Sequence, residues 1–114
     1  MRKKITVVTM GQSPVDPQTH DVYRMLAQAC DVELHGILDG MSEAETETLA
    51  PEGGELFIVT SLRTGREVRL AERNAIRLVN ERLLEAEQSG SAAALILCTG
   101  HFDIPEMRMP VFIP

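Results

Sequence analysis

Apolar residues along this chain fall into short dense runs, separated by stretches in which they recur every three or four positions. Lys4 to Met10 (KITVVTM) is apolar or β-branched at nearly every position, as expected of a strand covered on both faces. It predicts a central parallel strand. Gly11-Gln12-Ser13-Pro14 breaks the run, and Asp16-Pro17 offers a helix N-cap followed by proline at the first helical position. Val22, Met25, Leu26 and Ala29 then fall at i, i+3, i+4 and i+7 and predict one apolar helix face. Val32 to Ile37 (VELHGI) has strand character. After Asp39-Gly40, Ser42-Glu43-Ala44-Glu45 has the spacing of a capping box, opening a short acidic helix that Pro51 and Gly53-Gly54 stop.

Leu56 to Leu62 and Glu67 to Leu70 are extended segments around Arg63-Thr64-Gly65, which predicts a hairpin with a glycine-containing turn. A long helix beginning near Ala71 carries Ile76, Val79, Leu83 and Ala86 on one side. Arg73, Arg77, Glu81 and Glu85 lie largely on the other, and Gly90 is the expected C′ stop. Ala93 to Cys98 reads as another buried strand, and Val111-Phe112-Ile113 begins a further one. This alternation predicts a three-layer α/β fold: an open, mainly parallel sheet with helices on both faces and a β-hairpin insertion. Residues 1–114 are expected to form a single domain. The last apolar segment reaches Pro114 with no helix or polar tail to cover it. The domain is therefore expected to be C-terminally incomplete and its uncovered face to favour association.

Charge and composition narrow the function classes. Acidic residues outnumber basic ones, 17 to 11, for a formal net charge of -6. The basic residues are scattered apart from Arg2-Lys3-Lys4, which argues against nucleic acid and anionic membranes as partners. No apolar run approaches the roughly 20 residues of a membrane span, and the start lacks a signal-peptide pattern. The expected location is cytoplasmic. Cys30 and Cys98 are too few and too unpatterned for a disulfide framework. His20 and His35 are separated and have no His or Cys at i+3 or i+4, so no metal site is expected. With no phosphate-binding glycine fingerprint, no cofactor is expected either.

Candidate chemistry gathers where apolar runs stop. Leu95-Ile96-Leu97 ends at Cys98, Thr99, Gly100 and His101, and ligands of parallel α/β sheets bind outside the carboxyl ends of strands. A Cys98 thiolate could act as base or nucleophile, with His101 near enough in sequence to orient or protonate it. Thr99 and Gly100 offer a hydroxyl and backbone donors suited to a carboxylate. Against this, a free cysteine at a strand end often simply packs as a small hydrophobe, and Thr99, Gly100 and His101 also suit a plain solvated turn. Gln12 and Ser13 would face Cys98 if their strands are neighbours, although both also fit turn chemistry before Pro14. Thr60 and Arg63 could add an anion contact, since guanidinium binds carboxylates bidentately, or Arg63 could be a solvated hairpin tip.

Four segments, Thr9-Met10-Gly11-Gln12-Ser13-Pro14, Gly36-Ile37-Leu38-Asp39-Gly40-Met41-Ser42, Val59-Thr60-Ser61-Leu62-Arg63-Thr64-Gly65 and Leu97-Cys98-Thr99-Gly100-His101-Phe102, together resemble the N-terminal half of the AroM family. Each motif alone is common; four in order and register are not. AroM proteins are in turn similar to the aspartate/glutamate racemase superfamily, whose two flavodoxin-like halves are related by a pseudo-twofold axis around the ligand site. The resemblance implies a flavodoxin-like half of such a duplicated fold. It places Cys98 at the first of two catalytic cysteine positions, the second belonging to the other half. Racemases usually carry an acid in the loop after the first strand, and Gly11-Gln12-Ser13 does not.

The resulting expectation is a small amino-acid-like carboxylate bound by Gly11, Gln12, Ser13, Thr60, Arg63, Thr99, Gly100 and His101. Cysteine-dependent isomerase or racemase chemistry through Cys98 would arise only in a complete two-lobed protein. A homodimer or a missing C-terminal half would supply the partner surface. The alternative is a non-enzymatic ligand sensor or interaction module in which Cys98 is structural.

Overall fold

The computed structural model describes residues 3–12, 24–97 and 106–113. Four strands, β1 (Lys4–Thr9), β2 (Asp31–Gly36), β5 (Ala93–Leu97) and β6 (Val111–Phe112), form a parallel sheet in the order β2-β1-β5-β6. Between β2 and β5 in the chain, β3 (Phe57–Ser61) and β4 (Glu67–Ala71) pair antiparallel as a separate two-stranded sheet. This is the predicted hairpin insertion. Without it, the parallel strands follow the 2-1-3-4 order of an α/β flavodoxin-like sheet.

The run of apolar residues in β1 explains its central place. Val7 and Val8 point to opposite faces and both are fully buried. In register, Val7 stands beside Leu34 and Leu95, and Val8 beside His35 and Ile96. Val8, Ala94 and Ile96 share one buried cluster with Ala75, Val79, Leu83 and Ala86 of the long helix Glu72–Gln88. Ile76, expected on that face, is only half-buried at its edge. Asn74 is buried because its Nδ2 donates to the Leu49 carbonyl at 3.1 Å.

Both helix ends follow local rules. Ser42 Oγ accepts from the Glu45 N–H while Glu45 Oε1 accepts from the Ser42 N–H, closing the capping box of the short helix Glu43–Glu47. Gly90 ends the long helix with φ +89°, its N–H donating to the Glu87 carbonyl and that of Ser91 to the Ala86 carbonyl. That pair of bonds is a Schellman motif, in which glycine alone takes the left-handed position without strain. Arg66 ties the hairpin to the short helix through Glu43 and Glu47. Arg73 pairs with Glu55 at 2.7 Å, holding that carboxyl below its ordinary range.

Several boundaries depart from the periodicity. The predicted start of the first helix at Asp16-Pro17, with Val22, lies outside the described residues. Residues 24–27 are helical, and the chain then turns out, with the N–H groups of Ala29 and Cys30 both donating to the Leu26 carbonyl. Ala29 therefore leaves the helix and is exposed, and Met25 is 72% exposed, so these two do not complete a buried stripe. Leu56, expected to open a strand, precedes β3 and is 73% exposed. The final strand is confined to Val111–Phe112, and Phe112 and Ile113 are exposed. Among the described residues, no helix is long and apolar enough to cross a membrane.

Leu83→Ala, which empties a fully buried position between helix and sheet, is expected to lower stability by about 2–5 kcal/mol. Ser42→Ala, which removes a cap, is expected to cost about 1 kcal/mol. Urea unfolding of the two variants tests this order.

Candidate functional site

Chain direction, before any side chain, marks one edge of the sheet. From β1 the chain crosses to β2 on one side, whereas β5 leads to β6 on the other. The carboxyl ends of neighbouring β1 and β5 are therefore the topological switch point, where open α/β sheets form a ligand crevice. Thr9 and Leu97 stand opposite each other there, in register.

The loop after β1 is fastened to two other segments. A Cβ on Gly11 would lie 2.8 Å from the Ser61 carbonyl oxygen and 3.0 Å from Thr60 Oγ1. Only a residue without a side chain lets β1 and the end of β3 approach so closely. Gln12 Nε2 donates to the carbonyls of Leu38 and Met41, each at 3.2 Å, while its Oε1 accepts from the Arg63 N–H at 2.8 Å. The Gly11 carbonyl accepts from the Leu38 N–H at 3.0 Å. Gln12 is thus a bracket joining the loops after β1 and β2 to the hairpin tip.

Charge collects beside this bracket. Asp39 Oδ2 accepts from the Gly36 N–H at 2.9 Å, and its Oδ1 lies 3.7 Å from the Arg63 guanidinium. From the long helix, Arg82 donates to the Asp39 carbonyl at 3.3 Å. Leu62, buried beside Arg63, anchors the hairpin tip. A cationic group and several backbone groups are thereby held at the carboxyl edge of the sheet, an arrangement able to receive an anion.

Of the residues expected at a site, Gly11, Gln12, Thr60 and Arg63 are brought together at this edge. Ser13, Cys98, Thr99, Gly100 and His101 lie outside the described residues. Asp39 and Arg82 join the first four at this edge, and neither is marked as a site residue by its own spacing in the sequence. The Asp39-Gly40 turn is real, but it masks a carboxylate that faces Arg63. His35, one residue before the end of β2, pairs with Glu33 at 2.9 Å; that contact, with Lys4 nearby, holds the Glu33 carboxyl below its ordinary range.

Two other features have local roles. An open cleft of about 480 Å³ near Glu87, Ser91 and Arg108 lies at the amino ends of β5 and β6. Its acid is already engaged, since Glu87 Oε2 accepts from the N–H groups of Arg108 and Met109. Among the described residues, no group of three or more His, Cys, Asp and Glu side chains could hold a metal ion.

Gly11→Ala is expected to destabilise the fold by about 1–3 kcal/mol, because its Cβ meets backbone oxygen. Gln12→Ala is expected to cost a similar amount, about 1–3 kcal/mol, by leaving part-buried backbone groups unpaired. Gln12→Glu is expected to be worse than Gln12→Ala at neutral pH, since its carboxylate would face two carbonyl oxygens. That repulsion raises its folded pKa, so protonation should recover stability as pH falls through the carboxylate range. Urea unfolding across that range checks the sign.

Comparison with known proteins gives one family. The model described as AroM protein matches residues 5–114. No curated protein and no solved structure matches. The family match spans all of the described sheet but Lys4 and all of the loops fastened at its carboxyl edge, and on that ground the chain belongs to the AroM family.

Proposed function

We propose that this AroM-family chain binds a small amino-acid-like carboxylate at the carboxyl ends of β1 and β5. On this reading Gly11 and Gln12 would contribute from the loop after β1, and Ser13, Cys98, Thr99, Gly100 and His101, which lie outside the described residues, are assigned to the site from the sequence. The observation that carries this reading is the switch point between β1 and β5, with the hairpin tip fastened beside it by Gln12. Thr60 and Arg63 complete the site from the hairpin. Arg63 supplies the positive charge, exchanging its 3.7 Å contact with Asp39 for the ligand's carboxylate.

The chemistry proposed for this site follows the likeness of AroM proteins to the aspartate/glutamate racemase superfamily. A Cys98 thiolate would take the α-proton from one face of the bound amino acid, and a second group would return a proton to the opposite face. That second group would come from another lobe or a second copy of the chain. Exposed Leu56, Phe57 and Val59 along the hairpin favour a second reading, a non-enzymatic sensor or interaction module with Cys98 in a structural role.

Calorimetric titration with L-glutamate, L-phenylalanine and succinate tests the binding reading. Saturable binding of at least one is expected, weakened about tenfold or more in Arg63→Ala by loss of a charge-assisted contact. No binding of any of the three would sink it. Cys98 alkylation against pH separates the two readings: a thiol pKa well below about 8.5 supports a base, and an ordinary value supports structural Cys98. The chain alone is expected not to exchange the α-proton of these amino acids for solvent deuterium. Exchange abolished by Cys98→Ser would show that no second lobe is needed.

A further inference from the structure

Hydrogen-bond parity in the β3–β4 hairpin shows which backbone groups lie along its outer edge. At the tip the Leu62 N–H donates to the Arg66 carbonyl, and at the open end the Glu72 N–H donates to the Leu56 carbonyl. Facing pairs of an antiparallel ladder are hydrogen-bonded alternately. In the observed register Thr60–Val68 and Ile58–Leu70 therefore bond across the hairpin, and Ser61–Glu67 and Val59–Arg69 do not. The N–H and C=O groups of Glu67 and Arg69 point away from β3. Among the described residues no strand pairs with that side of β4. The next outward donor, the Ala71 N–H, is taken by the Leu49 carbonyl at 2.8 Å. An open cleft of about 220 Å³, lined by Glu67, Val68 and Arg69 together with Ala50 beyond the short helix, leaves the edge approachable.

Such an edge is a template for another strand, and edge charges of one sign keep copies of a chain apart. Here the charges are of both signs. Glu67 and Arg69 are exposed and, two residues apart, share one face of β4. The Glu67 carboxylate has no partner among the described residues. The Arg69 guanidinium lies 5.1 Å from the centre of the Phe57 ring, a contact with a ring face that leaves its N–H donors for a carboxylate. An acid and a base so spaced are their own complement when the strand is reversed. We infer that β4 is a self-association edge, on which a second copy of this chain lays its own β4 antiparallel about a twofold axis at Val68. In that register Glu67 of each copy faces Arg69 of the other, so the outward N–H and C=O groups bond between copies and an ion pair forms on either side of the axis. Sliding by two residues either way, the smallest step that keeps outward groups together, sets Glu67 against Glu67 or Arg69 against Arg69. Charge thus selects the axis at Val68. The joined hairpins form one antiparallel sheet, β3-β4-β4-β3, and the inference is independent of the carboxylate site.

Sedimentation equilibrium of the full chain, from micromolar to millimolar concentration, tests the inference. The wild type is expected to rise from the mass of one chain towards that of two, as a weak dimer, because the ladder is short. Glu67→Arg and Arg69→Glu each set like charges against each other and are expected to self-associate at least about tenfold more weakly. An equimolar mixture of the two is expected to recover association, since every facing pair between the different copies is then of opposite sign. The double variant Glu67→Arg/Arg69→Glu, which exchanges the charges within one chain, is expected to associate like the wild type. A wild type that stays monomeric at millimolar concentration would overturn self-pairing and leave the edge to a strand of another protein. Single variants that dimerise as well as the wild type would place the contact elsewhere and overturn it. Failure of both the mixture and the double variant to associate would overturn it as well.

Discussion

The side-chain amide of Gln12 meets backbone groups 26, 29 and 51 residues further along the chain, and the whole carboxyl edge depends on that meeting. A carboxylate has no donor and an ammonium no acceptor, so an amide is the group that can bond two carbonyls and one N–H at once. Each bond alone contributes little net stability. Together they set three backbone segments from one planar group, so their relative positions are fixed jointly. Gly11 makes this possible by letting β1 come against the Ser61 carbonyl. Arg63 is consequently placed by the loop after β1 as much as by its own hairpin.

Patterns that act over one or two turns were legible in the sequence. The doubly buried run of β1, the Ser42–Glu45 capping box, the hairpin around Gly65 and the Gly90 stop each draw on near neighbours, and each is present. Met25 and Ala29 show the limit of periodicity. Their spacing describes a helix face, but the chain turns out at the Leu26 carbonyl before Ala29 can join it. The part played by Gln12 was not legible, because its partners are distant and a glutamine before Ser-Pro looks like any turn residue.

The electrostatics of the edge are balanced, with neither sign dominating. Asp39 is held through one oxygen by the Gly36 N–H and faces Arg63 with the other. Arg63 is 58% exposed and the pair is long at 3.7 Å, so the attraction is screened by water and of small net value. A pair of this kind keeps a guanidinium oriented without consuming it. An incoming carboxylate that forms two short parallel bonds would be favoured over Asp39, whereas a neutral ligand would gain nothing from the exchange.

On the proposed reading, location and reaction would rest on different residues. Gly11, Gln12 and Gly36 are hydrogen-bonding or space-making groups, and none of them exchanges protons near neutral pH. Asp39, an acid beside the Gln12 bracket, belongs to the loop after β2 and is tied to a backbone N–H. On the proposed reading, these groups would bind and orient a carboxylate without themselves exchanging a proton with it. Proton transfer on the proposed reading has to come from the Cys98 side and from a group facing it. A binding site built this way can exist before any catalysis does, and a second lobe or copy could add chemistry without altering a bond at the Gln12 bracket.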